Sequence, residues 1–175
     1  MSDIVRIVEP LIPALRRYGR ALLHDATGAD DLVQDCLEQV ISHWHQRRQD
    51  GDPRTWVFAI LHNLAVNRLR QSARRGVHVP LEDTAEAMLS QPPAQEDALM
   101  RRDIVAALAL LPEEQRSVLL LVSVEDLSYA QAAEVLSIPI GTVMSRLARA
   151  RERLRHLLEG EGGAARPGAH LRRIK

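Results

Sequence analysis

The residues of this chain best suited to chemistry recur along one segment, IPIGTVMSRLARARERLR. Thr142, Ser145, Arg146, Arg149 and Arg153 fall at helical spacing towards one side, and Arg151 and Arg155 flank them. From Arg146 to Arg155 there are five arginines and one acid, Glu152, so i,i+4 pairing cannot balance the charge within the helix. Hydroxyls can bond bases or phosphates, and guanidinium groups can pair with phosphate or address a guanine edge through two bonds. Gly141, lacking a side chain, permits close backbone approach, and a helix N-terminus there adds free N–H donors for a phosphate. The chemistry implied is recognition of a nucleic acid rather than bond making; spacing does not divide the arginines between bases and phosphates.

A second polar edge is written into TWVFAILHNLAVNRLRQSARR. Asn63, Asn67, Arg70 and Arg74 stand at steps of four, three and four, with Arg75 adjacent. Two amides and a basic edge suit a nucleic-acid backbone with exposed bases, and they equally suit a solvated helix face.

Enzymatic alternatives find little. His43 and His45 flank Trp44 two positions apart, on opposite faces of a helix, and His62 reads as packed or solvated. Glu113 and Glu114 are adjacent first-turn acids, which favour the positive end of a helix. No nucleophile-base arrangement emerges and no G-x-x-x-x-G-K-[ST] loop is present, so neither an enzyme nor a cofactor or metal is expected. The single cysteine, Cys36, rules out an internal disulfide, fits a reducing compartment, and reads as a small core residue in a helix seam before a redox sensor. The N-terminus has no basic segment ahead of an apolar run, and no run approaches the roughly 18 residues that cross a bilayer. A cytosolic protein with no direct membrane insertion is expected.

The elements that must position these residues are helices. Apolar residues make up 46% and aromatics 3%, and the leucines, alanines and valines fall at threes and fours, which predicts an all-α fold. Residues 1–75 read as one helical domain. Leu11, Leu15 and Leu22 form its first stripe; Leu32, Val33, Leu37, Val40, Ile41 and Trp44 the second; Val57, Ile60, Leu61, Leu64 and Ala65 the third, with Pro53 opening that helix. Residues 76–95 read as a flexible acidic linker, with Pro80, Pro92, Pro93 and a possible helical turn at Ala85–Leu89; from Gly76 to Leu99 there are five acids and no Lys or Arg. Residues 96–159 give four helical segments, and the glycine-rich 160–175 reads as a frayed tail. Two separately packed domains are expected, and a net charge of zero conceals charge sorted along the chain.

Within the second domain, Ser128 and Gln131 have the form of a capping box, SIPI is a short turn, and Pro139 opens the next helix. Val143, Leu147, Ala150, Leu154 and Leu157 form that helix's buried seam. Two short helices and a tight turn make a helix-turn-helix, whose second helix can lie in the major groove.

LPEEQRSVLLLVSVEDLSYAQAAEVLSIPIGTVMSRLARARERLR resembles the minus-35 recognition domain of the extracytoplasmic-function (ECF) group of sigma-70-type RNA polymerase sigma factors. DDLVQDCLEQVISHW and PRTWVFAILHNLAVNRLRQSARR resemble their other conserved region, in family order. The resemblance implies a dissociable transcription-initiation subunit. It implies docking of Asp31, Gln34, Asp35 and Glu38 on the clamp helices of core RNA polymerase, and contact of the second domain with the polymerase flap. It implies minus-10 single-strand contacts for Trp56 with the loop before it, Asn63, Asn67, Arg70 and Arg74. At the minus-35 duplex it implies Gly141, Thr142, Ser145, Arg146, Arg149 and Arg153. Promoter DNA and an anti-sigma factor, commonly membrane-associated, are the other implied partners. The sequence departs from the family at Met144, where lysine is frequent, at Ser137, often glycine, at Asn67, usually an acid, and at Cys36 and Leu37, where an aromatic is common. A polymerase-independent helix-turn-helix regulator is the alternative; it leaves the DLVQD segment and the asparagine-arginine edge without a task.

Overall fold

The computed structural model describes residues 2–76 and 95–161. The expected turn at Ala85–Leu89 and the tail beyond Glu161 lie outside the described residues. The first unit comprises α1 (Ser2–Val8), a 3-10 turn at Glu9–Leu11, α2 (Ile12–Leu23), α3 (Ala26–His43), a 3-10 turn at Trp44–Gln46 and α4 (Pro53–Arg75). The second comprises α5 (Gln95–Ala109), α6 (Glu113–Ser123), α7 (Tyr129–Leu136) and α8 (Ile140–Glu161). The all-α fold with two helical units is as the sequence predicts.

Local chemistry sets the helix ends. The Asp25 carboxylate accepts from the Gly28 N–H at 3.0 Å and caps α3, and Asp52 accepts from the N–H groups of Arg54 and Thr55 to cap α4, with Pro53 at the first position. The predicted capping box is complete: the Gln131 N–H donates to Ser128 Oγ at 3.1 Å, and the Ser128 N–H donates to Gln131 Oε1 at 2.9 Å. α7 then stops on Ser137 in the left-handed region, φ 53°, a conformation glycine adopts more readily.

Leu15, Leu22, Leu32, Val33, Val40, Val57, Leu61 and Ala65 are buried in the first unit as their spacing predicts. Ile41 is the exception, 66% exposed. Neighbours on a helix point about 100° apart, and the inward stripe runs through Val33, Cys36 and Val40, turning Ile41 out. Two large core residues were not picked out by spacing: Tyr18 and Phe58, fully buried and packed edge to face with centroids 5.8 Å apart. Tyr18 Oη and His62 Nδ1 share a buried hydrogen bond of 3.0 Å, so His62 is a packed histidine. Cys36 is also buried, its thiol 3.8 Å from the Val57 carbonyl, and burial pushes its pKa up to about 12. In the second unit Val143, Leu147 and Ala150 are buried, with Leu154 and Leu157 packed against them, so the predicted seam holds α8 in place.

The two units are packed against each other, and one apolar core runs through both. α2 lies on α6, and α4 lies on α7. Spacing alone predicts separate packing, because much of the contact is made by polar groups that periodicity counts as surface. The Tyr18 hydroxyl reaches Ser117 of α6. His24 at the end of α2 is held near neutrality, its pKa lowered to about 4 by burial and then by the charge of Arg116. Arg116 is itself buried and donates to the carbonyls of Ala109 and Leu111 at 3.2 and 3.4 Å. Among the described residues no helix is long and apolar enough to cross a membrane, and no three His, Cys, Asp or Glu side chains are grouped to hold a metal.

Candidate nucleic-acid interface

α8 begins where the Pro139 carbonyl accepts from the N–H groups of Thr142 and Val143, at 2.9 and 3.2 Å. With its seam buried, the opposite side faces outward: Gly141, Ser145, Arg149 and Arg153 are exposed, as are Arg151 and Arg155. A Cβ built on Gly141 would meet nothing within 4 Å, so no contact inside the chain calls for glycine there; its smallness is legible only towards an external ligand. The Ser145 hydroxyl donates to the Thr142 carbonyl at 3.1 Å, which leaves its lone pairs outward as acceptors.

Thr142 and Arg146 are less available than spacing suggests. Thr142 is half-buried, and Arg146 is drawn towards α6, where its guanidinium pairs with Glu114 at 3.4 Å and its side chain is 26% exposed. Met144, where the family frequently has lysine, is 53% exposed on the same helix.

On α4, Asn63, Asn67, Arg70 and Arg74 are exposed along one edge. Trp56 is half-buried, edge-on to Trp44 at 6.0 Å. Arg47 lies over the Trp44 ring at 4.8 Å and donates to the carbonyls of Arg48 and Gly51, which fixes the loop that leads into α4. Arg54, about one turn before Phe58, places its guanidinium 5.7 Å over that ring. Spacing singles out neither Arg47 nor Arg54; the aromatic residues either side of these arginines are the available signal. Burial raises the Asp52 carboxyl, but bonds from the Thr55 hydroxyl, the Arg54 and Thr55 N–H groups and Gln131 outweigh it and hold the group below the usual carboxylate range.

On α3, Asp31, Gln34, Asp35 and Glu38 are exposed. Gln34 donates to Glu38 at 3.3 Å. Asp35 pairs with Arg68 of α4, which also donates to the Gly28 carbonyl at 2.9 Å, so this acid helps join α3 to α4 besides facing solvent. Asp35, Glu38, Gln39, Ser42, His43 and Leu64 line a shallow depression beside them. The structure thus places three groups of predicted residues on three helices: an acidic face on α3, an amide-basic edge on α4, and an arginine face on α8.

A helical unit followed by a helix-turn-helix unit, each with its own polar face, is the arrangement of sigma factors, and the chain matches two such families in that order. Residues 8–62 match the family described as the Sigma2 domain of PhyR, and residues 101–154 match Sigma-70, region 4. The chain belongs to the extracytoplasmic-function family of RNA polymerase sigma factors, which are transcription-initiation factors rather than enzymes. It is 35% identical over 151 residues to the ECF RNA polymerase sigma factor EcfG of Rhodopseudomonas palustris (strain TIE-1), covering 86% of this chain and 82% of that protein. It is 34% identical over 161 residues to the ECF sigma factor SigM of Mycobacterium tuberculosis, covering 91% of this chain and 76% of the other. The solved structure of the sigma factor RpoE in complex with the anti-sigma factor NepR from Bartonella quintana superposes with a TM-score of 0.77 at 30% identity, over 91% of this chain and 98% of that one.

Proposed function

We propose that the protein docks on core RNA polymerase through α3, reads the minus-35 duplex with α8 and captures the separated minus-10 strand along α4, thereby directing transcription initiation. The carrying observation is the outward face of α8 from Gly141 to Arg153 over a seam whose Val143, Leu147 and Ala150 are buried: a firmly seated helix with an arginine side left for a ligand. Arg149 and Arg153 supply the phosphate or guanine contacts, Ser145 and Gly141 let the helix approach closely, and Arg146 contributes once it leaves Glu114.

The physical logic divides the work. Duplex contacts at minus 35 fix register, while Asn63, Asn67, Arg70 and Arg74, with Trp56, hold bases after they leave the stack, offsetting an unpairing cost of a few kcal/mol. Opening draws on binding energy and on the polymerase, since the chain carries no nucleotide-binding loop of the P-loop type. Asp31, Gln34, Asp35 and Glu38 form the docking face, and Asp35 is presented by its bridge to Arg68. The site of action is the cytosol, where polymerase and DNA are found. The RpoE relative was solved with an anti-sigma factor, NepR, which supports a protein partner of that kind here, soluble or membrane-associated.

Transcription in vitro with core polymerase over a randomised promoter library tests the proposal. Promoter-dependent transcripts above those of core polymerase alone are expected, with shared sequence at two spaced elements; equal output with and without the protein rejects it.

A further inference from the structure

Glu125, in the turn between α6 and α7, is enclosed and accepts from Arg17 of α2 at 2.9 and 2.6 Å, and Asp35 holds Arg68, so these charges are engaged within the chain. One row on α8 is not. Ile140, Met144 and Ala148 follow one another at steps of four from the first residue of the helix, and all three are exposed, Ile140 at 49% and Met144 at 53%. None of them joins the core in which Val143, Leu147 and Ala150 seat the helix. The adjoining row, one position on at each turn, is Gly141, Ser145 and Arg149, the polar side already described. The first turns of α8 therefore present an apolar row and a polar row side by side.

What the apolar row can meet is limited by its surroundings. Arg151 and Arg155 stand farther along on its side of the helix, Arg149 and Arg153 on the other, and all four are exposed. A partner seated on Met144 must accept guanidinium groups on both flanks and still offer an apolar group between them. A nucleic-acid duplex does both. Its phosphates take up the arginines, and in the major groove the C5-methyl of thymine is an apolar group among edges that are otherwise donors and acceptors. The first turns of a recognition helix are also those that come nearest to the base edges. Met144 suits such a contact, being long, unbranched and polarisable, and Gly141 beside it adds no side chain to hold the helix away.

We propose that Met144, with Ala148 one turn on, reads a thymine methyl in the minus-35 duplex, so that a T·A pair is selected there by apolar contact rather than by hydrogen bonds. Resting on the minus-35 reading proposed above, this contact adds a base preference that the arginines and Ser145 do not supply. A guanidinium bonded to guanine is indifferent to a methyl group, and a serine hydroxyl bonds more than one base. Burial of one methyl is worth about fourfold in affinity, which sets the size of the preference.

The test uses holoenzyme reconstituted from the full chain and core polymerase, with a promoter duplex carrying the minus-35 element selected from the randomised library. Each thymine of that element is replaced in turn by deoxyuridine, which removes the methyl and leaves the hydrogen-bonding edge unchanged. One replacement should weaken binding about fourfold. Met144→Ala should bind the thymine duplex at least about fourfold more weakly and no longer distinguish it from the deoxyuridine duplex. Met144→Leu, which keeps an apolar side chain, should retain most of the preference. Because Met144 is exposed and outside the core, thermal melting of both variants should match the parent. The deoxyuridine comparison needs no variant and decides the matter even if one fails to fold. A selected element with no T·A pair, equal binding of the two duplexes by the parent, or a preference that survives Met144→Ala overturns the contact. Weaker assembly of Met144→Ala with core polymerase at an unchanged thymine preference assigns the row to a protein surface instead, and overturns it too. Arg149→Ala is measured beside these and should weaken binding to both duplexes alike. If it binds as the parent does, the minus-35 reading itself fails; if it weakens binding while the parent shows no thymine preference, only the Met144 contact fails.

Discussion

The exposed face of α8 and the entrance to α4 are treated differently by the packed molecule. Gly141, Ser145, Arg149 and Arg153 stand open, and only Arg146 is held back, by Glu114. The entrance to α4 is tied to the second unit, with Asp52 bonded to Gln131 and Arg54 bonded to the Glu125 carbonyl. The links between the units reach only the first turn of α4, and farther along it Asn63, Asn67, Arg70 and Arg74 stand as open as the arginines of α8. One end of a helix can thus be held by a distant part of the chain while the face it carries stays free.

The largest effect expected is on the open face. Arg146→Ala with Arg149→Ala should weaken minus-35 duplex binding by about 2 to 6 kcal/mol, at about 1 to 3 kcal/mol per well-made arginine contact. Arg149 should carry the larger share, because releasing Arg146 from Glu114 offsets part of its gain. Mobility shifts with a minus-35 duplex at fixed salt check both points, and normal binding by the double variant breaks the assignment of α8.

The second effect tests the contact between units. The pKa of His24 is about 4 in the folded protein against an ordinary 6.5, so the unfolded chain binds the proton first as pH falls. Stability contributed by neutral His24 is fully present above about pH 6.5 and is lost as pH drops towards 4, a decline of about 3 kcal/mol. Urea unfolding across that range should show it, and His24→Gln should flatten the curve; identical slopes in both proteins would remove the histidine from the account.

Docking comes next. Asp31→Ala with Asp35→Ala should raise the dissociation constant for core polymerase by about tenfold, on the order of 1.4 kcal/mol. Because Asp35 also holds Arg68, Asp31→Ala alone is the cleaner variant, and an unchanged constant for both discards the α3 face. Asn63→Ala should reduce open-complex formation by a similar or smaller factor, about 1 kcal/mol for a lost hydrogen bond, while duplex binding stays put. Permanganate reactivity of the opened bases separates these outcomes, and undiminished reactivity rejects the role of Asn63. The smallest effect is at the turn of the helix-turn-helix: Ser137→Gly relieves a left-handed residue and should raise stability by about 0.5 kcal/mol without altering binding. A thermal melt that moves down instead would show that the serine side chain contributes there.

What could be read from the sequence was what neighbouring residues decide among themselves. Ser128 and Gln131 announce their cap across three positions, and Val143, Leu147 and Ala150 announce a seam by their steps. The family could be recognised because such local patterns recur in order along the chain. Ile41 was misplaced because an apolar residue beside Val40 looks as suitable for the core, and only packing against α4 chooses between them. Tyr18 and Phe58 stood outside a stripe drawn from leucines and valines. The closeness of the units was illegible for a deeper reason: Arg17 and Glu125 are 108 positions apart, and both types are ordinarily found in water. Arg68 with Asp35, 33 positions apart, escaped in the same way.

The burial of Cys36 has a consequence for its reactivity. Sulfur attacks oxidants as the thiolate, and a thiol with a pKa near 12 presents that form in on the order of one molecule in a hundred thousand at neutral pH. The Cys36 thiol of the folded protein is therefore a poor target for peroxide or disulfide exchange. Oxidation at Cys36 first requires the α3 seam to open and expose the thiol.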